Sequence, residues 1–123
     1  MGEIMTIGIV DDNSIYRKLL IKILQLGGFS VIFQAEDGID CLSKMESNPL
    51  MPCLVLMDIE MPVMDGFETT RQLKIRWPHL KIIAHSSIDD IEAIERIMQC
   101  GADTFLPKPC SINQMMAAIK EFQ

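Results

Sequence analysis

A short apolar run that ends in a carboxylate constrains this chain more than any other feature. Residues 54–57 read Leu-Val-Leu-Met, lie between Pro52 and Pro62, and are followed directly by Asp58. A run of this length between prolines is typical of a buried strand. In an open α/β sheet, a buried parallel strand delivers its last residue to the edge where ligands bind. The run therefore predicts that Asp58 stands at the mouth of a site.

Strand and helix patterns alternate five times along the chain. Each β-rich run precedes a segment whose apolar residues recur at helical spacing, and Asn13 or Ser14 and Ser111 can cap the first and last helices. The predicted strands are residues 5–10, 29–35, 53–57, 80–84 and 103–106. Strict alternation predicts a doubly wound α/β fold, a three-layer α/β/α, flavodoxin-like arrangement. Five such units most often form a parallel sheet in the order 2-1-3-4-5.

Length and charge limit the class of protein. The 123 residues suit one domain, 1–123, and the net charge of −6 disfavours a direct grip on nucleic acid. No apolar run approaches the roughly 20 residues of a membrane helix, and residues 1–4 do not resemble a signal peptide. The four cysteines form no close pair, which favours reduced thiols. We expect a cytoplasmic domain that stays off the membrane.

In the predicted strand order the first and third strands are neighbours. Asp11 and Asp12 follow the first strand, so they meet Asp58 at one edge of the sheet. Three carboxylates in one place are costly unless a cation lies among them, and hard oxygen ligands suit Mg²⁺. The cluster therefore predicts a divalent-metal site. Solvated acids or helix caps are the alternative, and for Asp12 alone they are the better interpretation.

Two further groups are predicted at the same edge. Ser86 follows the fourth strand and Lys108 follows the fifth. A hydroxyl, an ammonium and a metal around a carboxylate would surround a dianion, as a phosphoryl group on Asp58 requires. Taken singly, Ser86 is more often a turn residue and Lys108 a solvated surface charge. Their shared placement favours the site.

The ordered set of motifs resembles the receiver domain of two-component response regulators, in the chemotaxis-regulator-like form, over essentially the whole chain. The matching positions are Asp11-Asp12, Asp58, Met61-Pro62, Asp65-Gly66, Ser86, Gly101-Ala102-Asp103 and Lys108-Pro109. The resemblance implies a signalling switch in a phosphorelay, which catalyses only its own phosphorylation and dephosphorylation.

The resemblance also implies the chemistry of the acceptor. Asp58 would take a phosphoryl group from a phosphohistidine of a sensor histidine kinase or a phosphotransfer protein. Asp12 and Asp58 would bind Mg²⁺ directly and Asp11 through water, with the backbone carbonyl of Glu60 as a further ligand. Lys108 would pair with the phosphoryl group.

The same resemblance implies how the switch works. Ser86 would hydrogen-bond the phosphoryl group and move towards it, and Phe105 matches the position of an aromatic switch. A plain core role for Phe105 is expected about as strongly. The peptide bond between Lys108 and Pro109 would be cis, a feature that needs proline. The surface of the fourth helix, fifth strand and fifth helix would change, and it is a possible homodimer face.

Some positions depart from the commonest pattern: Ser86 stands where Thr is more frequent, which keeps the hydroxyl, and His85 is a second departure. His85 is unusual next to Ser86, and because side chains alternate along a strand it should point away from that of Ser86. We expect a hydrogen-bonded, buried imidazole rather than a catalytic one.

An enzyme is the main alternative. A Mg²⁺-dependent phosphatase with an aspartyl-phosphate intermediate would want an acid two residues after its nucleophile, and Glu60 occupies that position. Such an enzyme would also want a cap domain, for which 123 residues leave no room. A degenerate receiver that only docks on partners is a third possibility, and the complete set of site residues argues against it.

Overall fold

The computed structural model describes residues 4–123, in which five parallel strands form one sheet in the order β2-β1-β3-β4-β5. The strands are β1 (Thr6–Val10), β2 (Ser30–Ala35), β3 (Leu54–Met57), β4 (Lys81–Ser86) and β5 (Thr104–Pro107). The helices are α1 (Ser14–Leu26), α2 (Gly38–Ser47), α3 (Gly66–Arg76), α4 (Ile91–Cys100) and α5 (Ile112–Lys120). The predicted fold is confirmed, with element ends shifted by one or two residues. Met1–Glu3, which include most of the segment searched for a signal peptide, lie outside the described residues.

Each face of the sheet carries its own apolar cluster. Along β3, Val55 and Met57 join one cluster while Leu54 and Leu56 join the other, because successive side chains of a strand point to opposite faces. The first cluster contains buried residues of α2, α3 and α4, and the second contains buried residues of α1 and α5. All four residues of β3 are buried, as expected for a central parallel strand covered on both faces.

The helices that follow β1, β3, β4 and β5 each begin at a capping side chain. Asn13 accepts from the backbone N–H of Tyr16, and Asp65 and Asp90 cap α3 and α4 in the same way. Ser111 forms a reciprocal capping box with Gln114 at the start of α5. These caps fix where the chain turns from strand to helix at the carboxyl edge of the sheet.

Helix α1 carries apolar residues that the rest of the protein does not cover. Leu20 and Leu24 are buried, whereas Ile15 is 79% and Leu19 is 51% exposed. A helix turns about 100° per residue, so Leu19 points well away from the line of Leu20 and Leu24. Apolar residues at helical spacing correctly predict the helix, but Ile15 and Leu19, which share that spacing, face outwards.

The structure also bears on the predictions about the cysteines and about membrane helices. The four cysteines are free thiols, and only Cys41 is buried. Across residues 4–123, every helix is too short or too polar to cross a membrane.

Candidate functional site

The carboxyl ends of four strands bring the predicted site residues to one edge of the sheet. The backbone N–H of Asp58 donates to the carbonyl of Val10 at 2.9 Å, which holds the end of β3 beside the end of β1. The backbone N–H of Lys108 donates to the carbonyl of Ser86 at 2.9 Å and holds the end of β5 beside β4. The strand pairing thus continues into the residues that form the site.

Three carboxylates form the centre of the site. Asp11, Asp12 and Asp58 each have an oxygen within 4.8 Å of the others. Asp11 and Asp58 are buried, whereas Asp12 is exposed. Burial raises the pKa of Asp58 to about 6, and the charges of Asp11 and Asp12 act in the same direction. Three hard oxygen donors in this arrangement fit a divalent cation such as Mg²⁺.

Lys108 supplies the positive charge among these acids. Its Nζ donates to Asp11 Oδ2 at 2.6 Å and lies 3.6 Å from Asp58 Oδ1. The charge of Lys108 and the backbone N–H of Ile59, which donates to Asp58 Oδ1 at 2.8 Å, both act to lower the pKa of Asp58. An ammonium is therefore already placed at the predicted acceptor. The peptide bond from Lys108 to Pro109 is cis, as predicted.

Ser86, Phe105 and Glu60 are the remaining residues that the sequence predicts for the site. Ser86 is fully buried, and its Oγ accepts from the backbone N–H of Ile88 at 3.2 Å. Phe105 is partly buried and packs against the first apolar cluster, which agrees with its predicted core role and leaves its switch role a prediction. The side chain of Glu60 is exposed, and Glu60 follows Ile59 in the loop after β3.

His85 and Tyr16 complete the surroundings of the site. His85 is buried, with Nδ1 2.9 Å from the carbonyl oxygen of Leu106 and Nε2 2.6 Å from the hydroxyl of Tyr16. The prediction of a hydrogen-bonded, buried imidazole is confirmed. Tyr16 was not predicted as a site residue. A polar aromatic in the first turn of the helix after the acidic pair is the one signal that points to it.

The family model that describes the response regulator receiver domain matches residues 7–120 of this chain. The chain belongs to this family. The receiver is 34% identical over 113 residues to the response regulator GacA of Pseudomonas protegens, a match that covers 91% of the chain and 52% of the relative. The chain thus spans about half the length of this curated relative.

Solved structures of receivers have the same fold. A CheY-like receiver domain protein from Methanospirillum hungatei superposes with a TM-score of 0.87 at 28% identity, covering 97% of this chain and 93% of that one. A chain of the CheX-CheY-BeF3-Mg complex from Borrelia burgdorferi gives a TM-score of 0.90 at 26% identity, covering 95% and 87%.

Membership of this family bears on the classes of function considered from the sequence. Receiver domains are signalling modules of two-component systems, typically phosphorylated on an aspartate, and are not classical enzymes. The family match therefore does not favour the phosphatase alternative.

Proposed function

We propose that this receiver is the phosphorylation-dependent switch of a two-component phosphorelay, with Asp58 as the phosphoacceptor. One observation carries the proposal: the buried Asp58 carboxylate lies at the end of β3, beside Asp11 and 3.6 Å from the ammonium of Lys108. The phosphoryl donor would be a phosphohistidine of a sensor histidine kinase or of a phosphotransfer protein. We place the domain, residues 1–123, in the cytoplasm, away from membranes and without direct contact to nucleic acid.

The transfer exchanges one bond to phosphorus for another. A carboxylate oxygen of Asp58 forms a P–O bond as the P–N bond of the phosphohistidine breaks, and the electron pair of that bond returns to the imidazole. Lys108 turns from the carboxylates towards the phosphoryl oxygens and offsets their charge. The hydroxyl of Ser86 donates a hydrogen bond to one of these oxygens.

The acid cluster is suited to hold Mg²⁺ during this reaction. Asp12 and Asp58 would ligate the ion directly, Asp11 through water, and the backbone carbonyl of Glu60 would add a ligand. Bound there, the ion would neutralise charge on the phosphoryl oxygens. The support for this ligand set is the mutual closeness of the three carboxylates, whose oxygens lie within 4.8 Å of one another.

The output surface is formed by α4, β5 and α5. Movement of Ser86 towards the phosphoryl group shifts the loop after β4, and Phe105 on β5 follows into the space released. Ile91 and Met98 of α4 are exposed, so this surface offers apolar area to a partner or to a second copy in a homodimer. Partners would read the phosphorylation state of the domain from this surface.

Labelling with acetyl phosphate in the presence of Mg²⁺ tests the proposal. We expect stoichiometric labelling of the wild type and none of Asp58→Asn, because the amide is not a nucleophile for this reaction. Asp103→Asn is the matched control, since Asp103 pairs with Lys74 away from the site, and it should label like the wild type. Labelling of Asp58→Asn would overturn the assignment. Steady-state turnover of small phosphoesters would instead support the phosphatase.

A further inference from the structure

A partly buried hydrogen-bonded pair connects the sheet to helix α1 beside the acceptor. The His85 ring lies between the carbonyl oxygen of Leu106 on β5 and the hydroxyl of Tyr16 on α1. The rings of Tyr16 and His85 have centroids 5.7 Å apart and planes inclined by 33°. The side chains of His85 and Tyr16 thereby connect β4, β5 and α1.

The direction of both hydrogen bonds follows from the carbonyl. A carbonyl oxygen only accepts, so Nδ1 of His85 carries the hydrogen that it donates to Leu106. Burial lowers the pKa of His85 and so favours the neutral ring, in which Nε2 is the acceptor. The hydroxyl of Tyr16 therefore donates to Nε2. The main chain of β5 thus fixes the tautomer of His85, and His85 in turn fixes the position of the Tyr16 hydroxyl.

The ring of Tyr16 also contacts the ammonium of Lys108, which lies beside Asp58. Nζ of Lys108 lies 4.7 Å from the centre of the Tyr16 ring, within the range of a cation–π contact. The same Nζ lies 2.6 Å from Asp11 Oδ2 and 3.6 Å from Asp58 Oδ1. The ammonium thus contacts both a π face and the carboxylates of the site.

A π face is well suited to hold this ammonium. The lysine side chain has four rotatable bonds, so it loses entropy when it is confined. An aromatic face attracts the charge without accepting a conventional hydrogen bond, so the N–H groups stay free for carboxylate or phosphoryl oxygens. The contact therefore remains available while Lys108 changes partners.

We propose that Tyr16 and His85 are positioning residues for phosphorylation: His85, anchored on β5, orients the Tyr16 ring, and that ring holds the Lys108 ammonium beside Asp58. The inference rests on the proposed function, because Lys108 at Asp58 matters only if Asp58 is the acceptor. Neither residue touches the reacting atoms. Both act through Lys108.

Kinetics of labelling by acetyl phosphate with Mg²⁺ test the proposal in the whole chain. Tyr16→Leu removes the ring, and we expect the labelling rate to fall about fivefold, the effect of losing one half-buried cation–π contact. Tyr16→Phe and His85→Leu each break the hydrogen bond between residues 16 and 85. Both variants keep an aromatic ring at position 16, so each should lower the labelling rate only about twofold. Their double variant should be no slower than either single one. Ile21→Ala is the control: it removes packing from α1 against the second cluster and should label at the wild-type rate.

An NMR measurement separates positioning from a general loss of stability. The ring current of Tyr16 should shift the ε-methylene protons of Lys108 upfield in the wild type, less so in Tyr16→Phe and His85→Leu, and hardly at all in Tyr16→Leu. Ile21→Ala should leave that shift unchanged. If Tyr16→Leu does not fold, the Tyr16→Phe and His85→Leu variants carry the test.

Three results would overturn the inference. Wild-type labelling rates in Tyr16→Leu would show that the ring does not hold Lys108. Slower labelling with an unchanged Lys108 shift in Tyr16→Phe and His85→Leu would show that the hydrogen bond does not orient the ring. If the rate losses of Tyr16→Phe and His85→Leu multiplied in the double variant, the two residues would act separately. Absence of labelling in the wild type would instead refute the proposed function, while the Lys108 shift would still report on the contact.

Discussion

Gly66 closes the loop after the acceptor so tightly that no side chain fits there. A Cβ atom added at Gly66 would lie 2.1 Å from the carbonyl oxygen of Asp58 and 2.7 Å from Cα of Ile59. Ordinary contact begins at 3.4 Å, so the backbone would have to open by about 1.3 Å, the difference between 3.4 and 2.1. The atoms in the way belong to the main chain and cannot rotate aside. We therefore expect Gly66→Ala to displace the acceptor itself.

Overpacking of this kind costs about 3 kcal/mol, and the better helix propensity of Ala returns up to about 1 kcal/mol at the start of α3. Gly66→Ala should therefore lose about 2 kcal/mol of unfolding free energy in urea. Labelling by acetyl phosphate should fall at least tenfold, because a displacement of about 1 Å can cost about a hundredfold in rate.

Gly28→Ala is the matched control for this change. Gly28 has φ +90 and nothing within 4 Å of an added Cβ, so only its left-handed backbone is strained, at about 1 kcal/mol. Both substitutions remove one glycine and change the unfolded chain equally. Gly28→Ala should label like the wild type. Our reasoning would be refuted if Gly66→Ala were no less stable than Gly28→Ala and labelled as fast.

Two further predictions concern single side chains. Tyr16 is the chain's only tyrosine, and burial raises its pKa to about 12, so phenolate absorbance should appear with a midpoint near 12, and a midpoint near 10 would contradict this. Because the folded pKa is raised, Tyr16 contributes stability that is complete below pH 10 and is lost between pH 10 and 12. Lys74→Met should cost about 1.5 kcal/mol in urea unfolding, because Asp103 accepts from both Lys74 and the backbone of β4. Lys44→Met should cost under about 0.5 kcal/mol, because its pair with Asp40 is a more exposed helical pair, and equal losses would contradict the argument.

Local patterns in the sequence were sufficient to predict most of the fold. The apolar run before Asp58 and the capping side chain of Ser111 report directly on a strand and a helix start, because both signals act over a few residues. The neighbouring placement of Asp11 and Asp58 needed one more step, the rule that fixes the strand order in five-unit parallel folds. The structure confirms that order.

Contacts between distant parts of the chain account for what the sequence did not predict. Tyr16 and His85 are 69 residues apart, and no local pattern indicates that their polar atoms meet. Helical spacing does not tell how wide a face the sheet covers, so the outward direction of Ile15 and Leu19 could not be predicted. The present partner of Lys108 was also missed, because only the geometry shows that its ammonium reaches Asp11.

The strand order has a consequence for synthesis on the ribosome. The ribosome makes β1, β2 and β3 before β5, and pairing of β1 with β3 gathers the acidic residues that follow these two strands at one edge. The ammonium that neutralises them belongs to Lys108, which follows β5. A nascent domain without β5 therefore holds carboxylates that repel one another. Docking of the last strand relieves that repulsion, so the charges that make the site reactive also favour completion of the sheet.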